Sequence, residues 1–253
     1  VVESIRSILP LCDEVVVAVG NSEDGTRELI EKIDPKIRII DTVWDDSLRE
    51  GGRVLAVETD KAFRAVDPKS DWAFYIQGDE VLHEKYHREV REQMLKWKDD
   101  KRVEGLLFKY LHFYGSYEYV GSSTRWYSHE IRVVRNDKRI YSFRDAQGFK
   151  IGNKRRLHVK PIDAWMFHYG WVKDPRIMQK KQETFNKHWH DDEWMEQNIV
   201  KASEWDYSNI DALKPFKGTH PAVMRERLAG KNWKFEFDTS KNKISPKEQL
   251  KKF

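Results

Sequence analysis

The sequence predicts an α/β fold with a doubly wound, mostly parallel sheet and helices on both faces. Three short apolar runs in the first eighty residues are rich in β-branched and aromatic residues, as buried parallel strands are. Helical patterns with one apolar face separate these runs, which gives a strand–helix alternation. With 253 residues, of which 39% are hydrophobic and 35% charged, the chain is long enough for one large domain with a solvated surface.

The first hundred residues carry this alternation most clearly. Residues 1–9 predict a helix with no strand before it. Because an α/β domain usually begins with a strand, we expect a first strand to be missing upstream. Strands are predicted at Val15–Val19, Ile37–Trp44 and Trp72–Ile76, and helices at about 26–33, 55–66 and 82–97.

The second half has longer strands with an aromatic-rich segment between them. Asp174 followed by Pro175 predicts a helix start, since aspartate favours the N-cap and proline the first turn. The pattern weakens after about residue 198, so residues 199–253 are predicted to be a C-terminal extension or tail. Strands are predicted at Gly105–Tyr114, Glu130–Val134 and Ala164–Tyr169.

Composition and charge argue against several classes of protein. The 46 basic and 42 acidic residues give a net charge of +4, but they are interspersed and form no basic stripe, so nucleic acid is not an expected partner. Cys12 is the single cysteine, which excludes disulfides within the chain and suits a cytoplasmic location. No apolar run reaches the roughly 20 residues of a membrane span. The basic surplus suits a phosphorylated ligand or a peripheral position on the inner face of the membrane.

Two acidic pairs follow predicted strands, Glu23-Asp24 after the first and Asp79-Glu80 after the third. Ligands of α/β sheets bind beyond the carboxyl ends of the strands, and carboxylates are ligands that Mg²⁺ and Mn²⁺ prefer. Such a cation would neutralise a diphosphate. The alternative is that each pair only caps the next helix. We favour capping for Glu23-Asp24 and ligand binding for Asp79-Glu80, where two carboxylates end an apolar strand.

Two segments, taken together, resemble the family 2 glycosyltransferases. The turn at 21–26, Asn-Ser-Glu-Asp-Gly-Thr, resembles the family's Gly-Ser-Thr-Asp-Gly-Thr turn. The segment 71–80 ends in Gln-Gly-Asp-Glu and is similar to the family's strand that ends in the Asp-x-Asp metal motif. The resemblance covers roughly residues 1–170. It implies a Rossmann-like GT-A fold and an inverting transfer of a sugar from a nucleotide-diphosphate sugar to a hydroxyl of a glycan or lipid-linked acceptor, in cell-surface glycan assembly.

The resemblance also assigns regions and residues. It implies a GT-A domain over residues 1–198, with a donor half at 1–100 and an acceptor half at 101–198. The expected cofactor is Mn²⁺ or Mg²⁺. Lys173 and Arg176 are close enough in sequence to His168 to contact phosphate oxygens, with surface solvation as the alternative. The implied nucleotide-sugar ligands are Asn21, Glu23, Asp24, Arg53, Gln77, Gly78 and Asp79, and the implied metal ligands are Asp79 and His168.

Two departures from the family pattern affect the metal and the nucleotide base. Gln77 stands where the family has the first Asp of its metal motif, and Val19 and Gly20 stand where an Asp usually contacts the base. A carbohydrate-binding or scaffold protein with a degenerate site is therefore the alternative function.

The catalytic base and the acceptor contacts are predicted in the second half. An inverting transfer needs a carboxylate to take the proton of the acceptor hydroxyl. The resemblance implies Asp145 as the first choice, because Arg144-Asp145 stands where the family often has a His-Glu pair, and Glu80 is the second choice. An exposed Asp145 paired with Arg144 is the alternative. Tyr114, Trp126 and Tyr127 are predicted to stack on an acceptor sugar, or else to belong to the core. The segment 188–193, His-Trp-His-Asp-Asp-Glu, resembles a metal site in composition, but we interpret it as a solvated helix end.

Overall fold

The computed structural model describes residues 1–48, 50–188, 192–198 and 202–243. Helices and strands alternate in the first half, and long strands dominate the second. The helices are α1 (Val2–Ile8), α2 (Thr26–Glu31), α3 (Arg53–Ala65), α4 (His87–Lys96), α5 (Pro175–Phe185), α6 (Asp192–Asn198) and α7 (Arg225–Ala229). The strands are β1 (Val15–Val19), β2 (Ile37–Asp41), β3 (Trp72–Phe74), β4 (Glu80–Leu82), β5 (Gly105–Tyr114), β6 (Tyr119–Gly121), β7 (His129–Arg135), β8 (Ile140–Phe143), β9 (Gly148–Ile151), β10 (Arg155–Arg156), β11 (Val159–Trp171) and β12 (Leu213–Pro215).

The first two strands form a small parallel sheet of their own. β1 pairs with β2 over its full length, from Val15 opposite Ile37 to Val19 opposite Asp41. Val15 and Val19 pack with Ile5 of α1 in one apolar cluster. The run of valines thus forms a strand because alternate side chains are buried against a helix.

The main sheet is mixed and is built around two long strands, β5 and β11. These two pair in parallel, and the order across the sheet is β12-β6-β5-β11-β4. β7 pairs antiparallel with β5 and also with β3, which attaches β3 to this sheet. β8, β9 and β10 form a separate antiparallel sheet, and α3 lies between β1 and β8.

The predicted doubly wound, mostly parallel GT-A sheet is wrong. Only β1–β2 and β5–β11 are parallel pairs in the part of the chain that the structure describes, and the fold is mixed α/β with a curled mixed sheet. The alternation predicted parallel pairing because a helical crossover returns the chain in the same direction. Local periodicity did not reveal that β3 pairs antiparallel with β7, a distant strand. Nor did it reveal β4 at residues 80–82, of which Leu82 was predicted to begin a helix.

Residues 202–243 pack on the second half of the chain. β12 pairs with β6, and Leu213 and Tyr207 are buried beside Tyr114. The indole nitrogen of Trp233 donates to the carbonyl of Gly115 at 2.8 Å. Residues 244–253 of the predicted tail lie outside the described residues. Among the helices that the structure describes, none is both long and apolar enough to cross a bilayer.

Candidate functional site

A cavity of about 1630 Å³ opens where β3 ends. Its wall at this end comes from four parts of the chain: the turn after β3, β7 with the residues before it, the end of β11 with α5, and the β8–β9 hairpin. Side chains of opposite charge therefore meet at one edge of the main sheet. The residues of this wall are Gln77, Gly78, Asp79, Tyr127, Arg132, Asp145, His168, Gly170, Lys173 and Lys181.

Asp79 is the central acidic group of the site. Its Oδ1 lies 3.7 Å from Nε2 of His168, and its Oδ2 lies 3.3 Å from Nζ of Lys181, which also donates to the carbonyl of Gly170 at 3.0 Å. Burial alone would raise the pKa of Asp79, but the positive charges of a protonated His168, Lys181 and Lys173 outweigh it and lower the pKa to about 2. Asp79 is therefore a carboxylate at neutral pH, and its side chain is 33% exposed to the cavity.

The backbone fixes Asp79 against β11. Its carbonyl accepts a hydrogen bond from the backbone N–H of Tyr169 at 2.8 Å. Gly170 allows this close approach, because a Cβ at that position would lie 2.7 Å from Oδ2 of Asp79 and from Nε2 of His168. The sequence thus needs a glycine two residues after His168.

A hydrogen bond between His112 and His168 determines which ring nitrogen of His168 is the donor. Nε2 of His112 lies 2.8 Å from the carbonyl of Tyr127, which can only accept, so this nitrogen carries the proton. Burial, with the neighbouring His168, lowers the pKa of His112 to about 3, so the ring is neutral and its Nδ1 is an acceptor. Nδ1 of His168, 3.1 Å away, must then be the donor. In the neutral tautomer with this donor, the lone pair of His168 lies on Nε2, on the side of Asp79, and this is the form that could bind a metal ion.

Glu80, the second choice for a base, is buried in an ion pair. Arg132 donates to its two oxygens at 2.7 and 2.9 Å, and the hydroxyl of Tyr110 donates at 2.8 Å. The exposed fraction of Glu80 is 0%. Its Oε2 also accepts from the backbone N–H of Gln77 at 3.2 Å. This geometry favours a role in holding the turn that presents Asp79.

Asp145, the first choice for a base, lies at the tip of the β8–β9 hairpin and lines the cavity. Its neighbours Arg144 and Ala146 both have left-handed backbones, with φ of 58° and 63°. Residues other than glycine adopt this conformation at a cost, and such positions are common at functional sites. The structure shows no ion pair between Asp145 and Arg144, both of which it describes. Asp145 thus lines the cavity from a hairpin tip with two left-handed residues.

The turn at Asn21–Thr26 is not part of the cavity wall. Its residues Asn21, Glu23 and Asp24 are exposed, and Asp24 accepts hydrogen bonds from the hydroxyl of Ser22 and the backbone N–H of Thr26. These bonds lower the pKa of Asp24 to about 2. The N-cap residue of α2 is Gly25, which has no side-chain cap hydrogen bond, and of the acidic pair only Asp24 accepts from the first N–H of the helix. Arg53 is also exposed and lies outside the wall.

The three aromatic residues predicted to bind an acceptor are in different environments. Tyr127 lines the cavity and contacts the ring of His112 edge-on. Trp126 stacks on the ring of His112, with the ring centroids 5.1 Å apart. Tyr114 is 4% exposed and packs in a cluster with residues of the C-terminal segment, which favours a core role.

Sequence reasoning missed two residues of the site. His112 lies in the middle of an apolar strand, and a buried polar residue there was the available signal. Lys181 lies in α5, 102 residues from Asp79, and nothing in its local sequence indicated that contact. Residues 189–191 of the histidine-rich segment lie outside the described residues. Among those described, no three His, Cys, Asp or Glu side chains are grouped to hold a metal ion.

Comparisons with known proteins add no assignment. The sequence matches no model of a known protein family, and no curated protein matches it either. The interpretation of the site thus depends on its geometry and on the sequence resemblance.

Proposed function

We propose that this chain is a glycosyltransferase that moves a sugar from a nucleotide-diphosphate sugar to a hydroxyl of a glycan or lipid-linked acceptor, in cell-surface glycan assembly. The supporting observation is the group formed by Asp79, His168 and Lys181 at the edge of a large cavity. A carboxylate, an imidazole lone pair and an ammonium group together suit a diphosphate with its divalent cation.

The residues fit Mn²⁺ or Mg²⁺ as a cofactor. Asp79 Oδ1 and His168 Nε2 are 3.7 Å apart, and the tautomer of His168 presents a lone pair, so these two atoms would hold the ion. Hydrated Mg²⁺ usually takes few protein ligands and completes its shell with water and phosphate oxygens, which agrees with a two-residue site. The cation would neutralise charge on the departing diphosphate.

The chain's own residues provide the remaining chemistry in this proposal. Lys173 and Lys181 bind phosphate oxygens, because both ammonium groups line the cavity beside Asp79. Asp145 accepts the proton of the acceptor hydroxyl as its oxygen bonds to the anomeric carbon. The bond from that carbon to the diphosphate breaks at the same time, and the electron pair leaves with the phosphate. Attack from the opposite face inverts the anomeric centre.

One observation favours the alternative of a non-catalytic carbohydrate-binding or scaffold protein. Lys181 already neutralises Asp79 in the structure, and Gln77 brings no charge. Asp79 is thus paired without a cation. A sugar that binds only to aromatic residues of the cavity, such as Tyr127, would then need no metal ion.

A thermal-shift panel tests the proposal. The protein is heated with UDP, GDP, CDP or dTDP, each with Mn²⁺, Mg²⁺ or EDTA. We expect the unfolding temperature to rise with one nucleotide and only with metal, because ligands stabilise the state they bind. Asp79→Asn should abolish the shift. Asp163→Asn, which changes an exposed carboxylate paired with Lys109, is the matched control and should keep it. Absence of any metal-dependent shift would contradict the proposal.

A further inference from the structure

Residues 137–160, which include β8, β9, β10 and the turns between them, carry the surplus positive charge of the chain. They contain eight Lys and Arg and two Asp, a net charge of +6, whereas the net charge of all 253 residues is +4. The other residues therefore have a net charge of −2. Basic and acidic residues are interspersed along most of the sequence, but this small sheet concentrates positive charge on one part of the molecule.

The register of the small sheet places basic and aromatic side chains on its outer face. Ile140 and Ile151 pair with each other and are at most 4% exposed, so they lie on the inner face. Because side chains alternate along a strand, the adjoining residues Tyr141 and Lys150 point outward. Lys150 lies opposite both Tyr141 and Arg156, and directly paired residues share a face. We call this surface the basic face, and its residues are Tyr141, Phe143, Lys150 and Arg156.

The ring of Phe143 is in contact with two cations. Nζ of Lys150 lies 5.2 Å from its centroid, and the guanidinium carbon of Arg144 lies 5.4 Å from it. A cation–π contact attracts a cation to a ring but does not cancel its charge. Both cations therefore keep their charge for an anion.

Four cations on or beside the basic face have no acidic partner among the described residues. Lys150 and Arg156 are directly opposite each other on paired strands, where like charges are destabilising. Arg144 and Lys154 are exposed in the turns that flank these strands. In the part of the chain that the structure describes, none of the four forms an ion pair with a carboxylate. An anion bound between Lys150 and Arg156 would remove their repulsion.

The combination of cations and aromatic rings fits a bilayer that contains anionic lipids. Lys and Arg near such a surface are attracted to it, and aromatic residues favour the level of the headgroups. Nucleic acid is the other large polyanion, and its single strands bind to proteins by stacking bases on aromatic rings. Two cations already contact the ring of Phe143. The basic face therefore favours lipid phosphates over stacked bases.

The β8–β9 hairpin connects the basic face to the cavity. Asp145, at its tip, lines the cavity wall and follows Tyr141 by four residues. Four residues of extended chain span at most roughly 14 Å. Contact between the basic face and a bilayer therefore places this end of the cavity close to the lipid headgroups.

We propose that the basic face docks the protein on the surface of a bilayer that contains anionic lipids. Lys150 and Arg156 bind the oxygens of lipid headgroups, and Arg144 and Lys154 contribute from the flanking turns. An acceptor hydroxyl that is part of a lipid then reaches the cavity from the bilayer surface. This last consequence rests on the proposed glycosyltransferase function, whereas the docking itself does not.

Vesicle flotation tests the proposal. The protein is mixed with vesicles of phosphatidylcholine alone, or of phosphatidylcholine with about one third phosphatidylserine, and the bound fraction is measured. We expect binding only to the vesicles with phosphatidylserine, and weaker binding as salt is added, because salt screens surface charges. Each cation at such a surface contributes about fivefold, so Lys150→Gln combined with Arg156→Gln should reduce the affinity about 30-fold.

A matched variant separates the basic face from the overall charge. Arg88→Gln combined with Lys217→Gln removes the same charge from two exposed positions outside the basic face, and should bind vesicles as the wild type does. The unfolding temperature of the Lys150 and Arg156 variant should be unchanged or higher, because the substitutions remove a repulsion between paired strands. Loss of vesicle binding is then distinguished from loss of folding.

Several results would overturn the proposal. These are the absence of binding to vesicles with phosphatidylserine, wild-type affinity of the Lys150 and Arg156 variant, and an equal loss of affinity in the matched variant. Tighter binding to single-stranded DNA than to vesicles at the same phosphate concentration would also overturn it and would indicate a nucleic-acid partner. None of these results depends on nucleotide-sugar binding, so the docking can fail or hold independently of the proposed function.

Discussion

At the scale of single residues, the site depends on a chain of hydrogen bonds that ends at His168. The carbonyl of Tyr127 fixes the proton of His112, and His112 in turn fixes the proton of His168. Partners of this kind orient metal ligands and tune their basicity. The proposed metal site is therefore set up by the middle of β5, a strand that contributes no metal ligand itself.

Replacing His112 should weaken metal binding. In His112→Phe the aromatic stacking with Trp126 is kept, but Nδ1 of His168 loses its acceptor. We expect the Mn²⁺ affinity to fall by about 10–100-fold, measured by electron paramagnetic resonance titration. His129→Phe changes an exposed histidine of β7 and is the control. Unchanged affinity in His112→Phe would refute this role.

Glu80 and Asp79 are adjacent, but their replacement should have different consequences. Glu80→Gln leaves the buried guanidinium of Arg132 without a counter-charge, and we expect the unfolding free energy to fall by about 3–5 kcal/mol. Asp79→Asn, at a partly exposed position, should cost far less. Urea unfolding of both variants measures the difference, and equal losses would contradict the division between a structural Glu80 and a ligand-binding Asp79.

Glu130 should make stability depend on pH. Burial, reinforced by Glu80 and Asp145 and opposed by Arg132, raises the pKa of Glu130 from 4.5 to about 7. The folded protein therefore holds this proton more tightly than the unfolded chain, and stability falls as pH rises from about 4.5 to 7. Glu130→Gln should lack this loss, so its advantage over the wild type should grow across that range and then level off. Urea unfolding between pH 4 and 8.5 provides the test, and a constant difference would count against it.

At the scale of elements, local patterns predicted the position of most helices and strands. β1 lies at Val15–Val19 and α5 begins at Pro175, as predicted, because an apolar run and an N-cap with proline are local signals. β4 was not predicted, and its last residue, Leu82, was assigned to the following helix. Leu82 repeats at helical spacing with the residues of α4, but pairing of residues 80–82 with β11 outweighs that periodicity. Such pairing is a long-range effect that short windows do not contain.

The N-cap of α5 should matter for the site as well as for stability. Asp174 accepts from the N–H of Arg176 at 2.9 Å, and α5 carries Lys181 toward Asp79. Asp174→Ala should reduce the unfolding free energy by about 1 kcal/mol and weaken nucleotide binding. Calorimetry and chemical unfolding measure the two effects. Normal nucleotide affinity in this variant would show that Lys181 needs no support from the cap.

At the scale of the whole molecule, the sequence predicted that helices and strands are both present, but the predicted fold class, a doubly wound and mostly parallel sheet, was wrong. The apolar strands and the residues that follow them predicted both kinds of secondary structure and the position of Asp79 at the end of a strand. Two other features could not be predicted from the sequence, because each joins residues that are far apart in it. These are the pairing of β3 with β7 and the contact of Asp79 with Lys181.

The central claim is sugar transfer, and its most direct test is to follow turnover of nucleotide-diphosphate sugars by NMR in the presence of hydroxyl acceptors. We predict that one donor releases its nucleoside diphosphate in a metal-dependent reaction and gives a product with the inverted anomeric configuration. Asp79→Asn and Asp145→Asn should both abolish this release, and Asp163→Asn should not. Nucleotide binding without turnover of any donor would contradict the claim and support a carbohydrate-binding or scaffold protein.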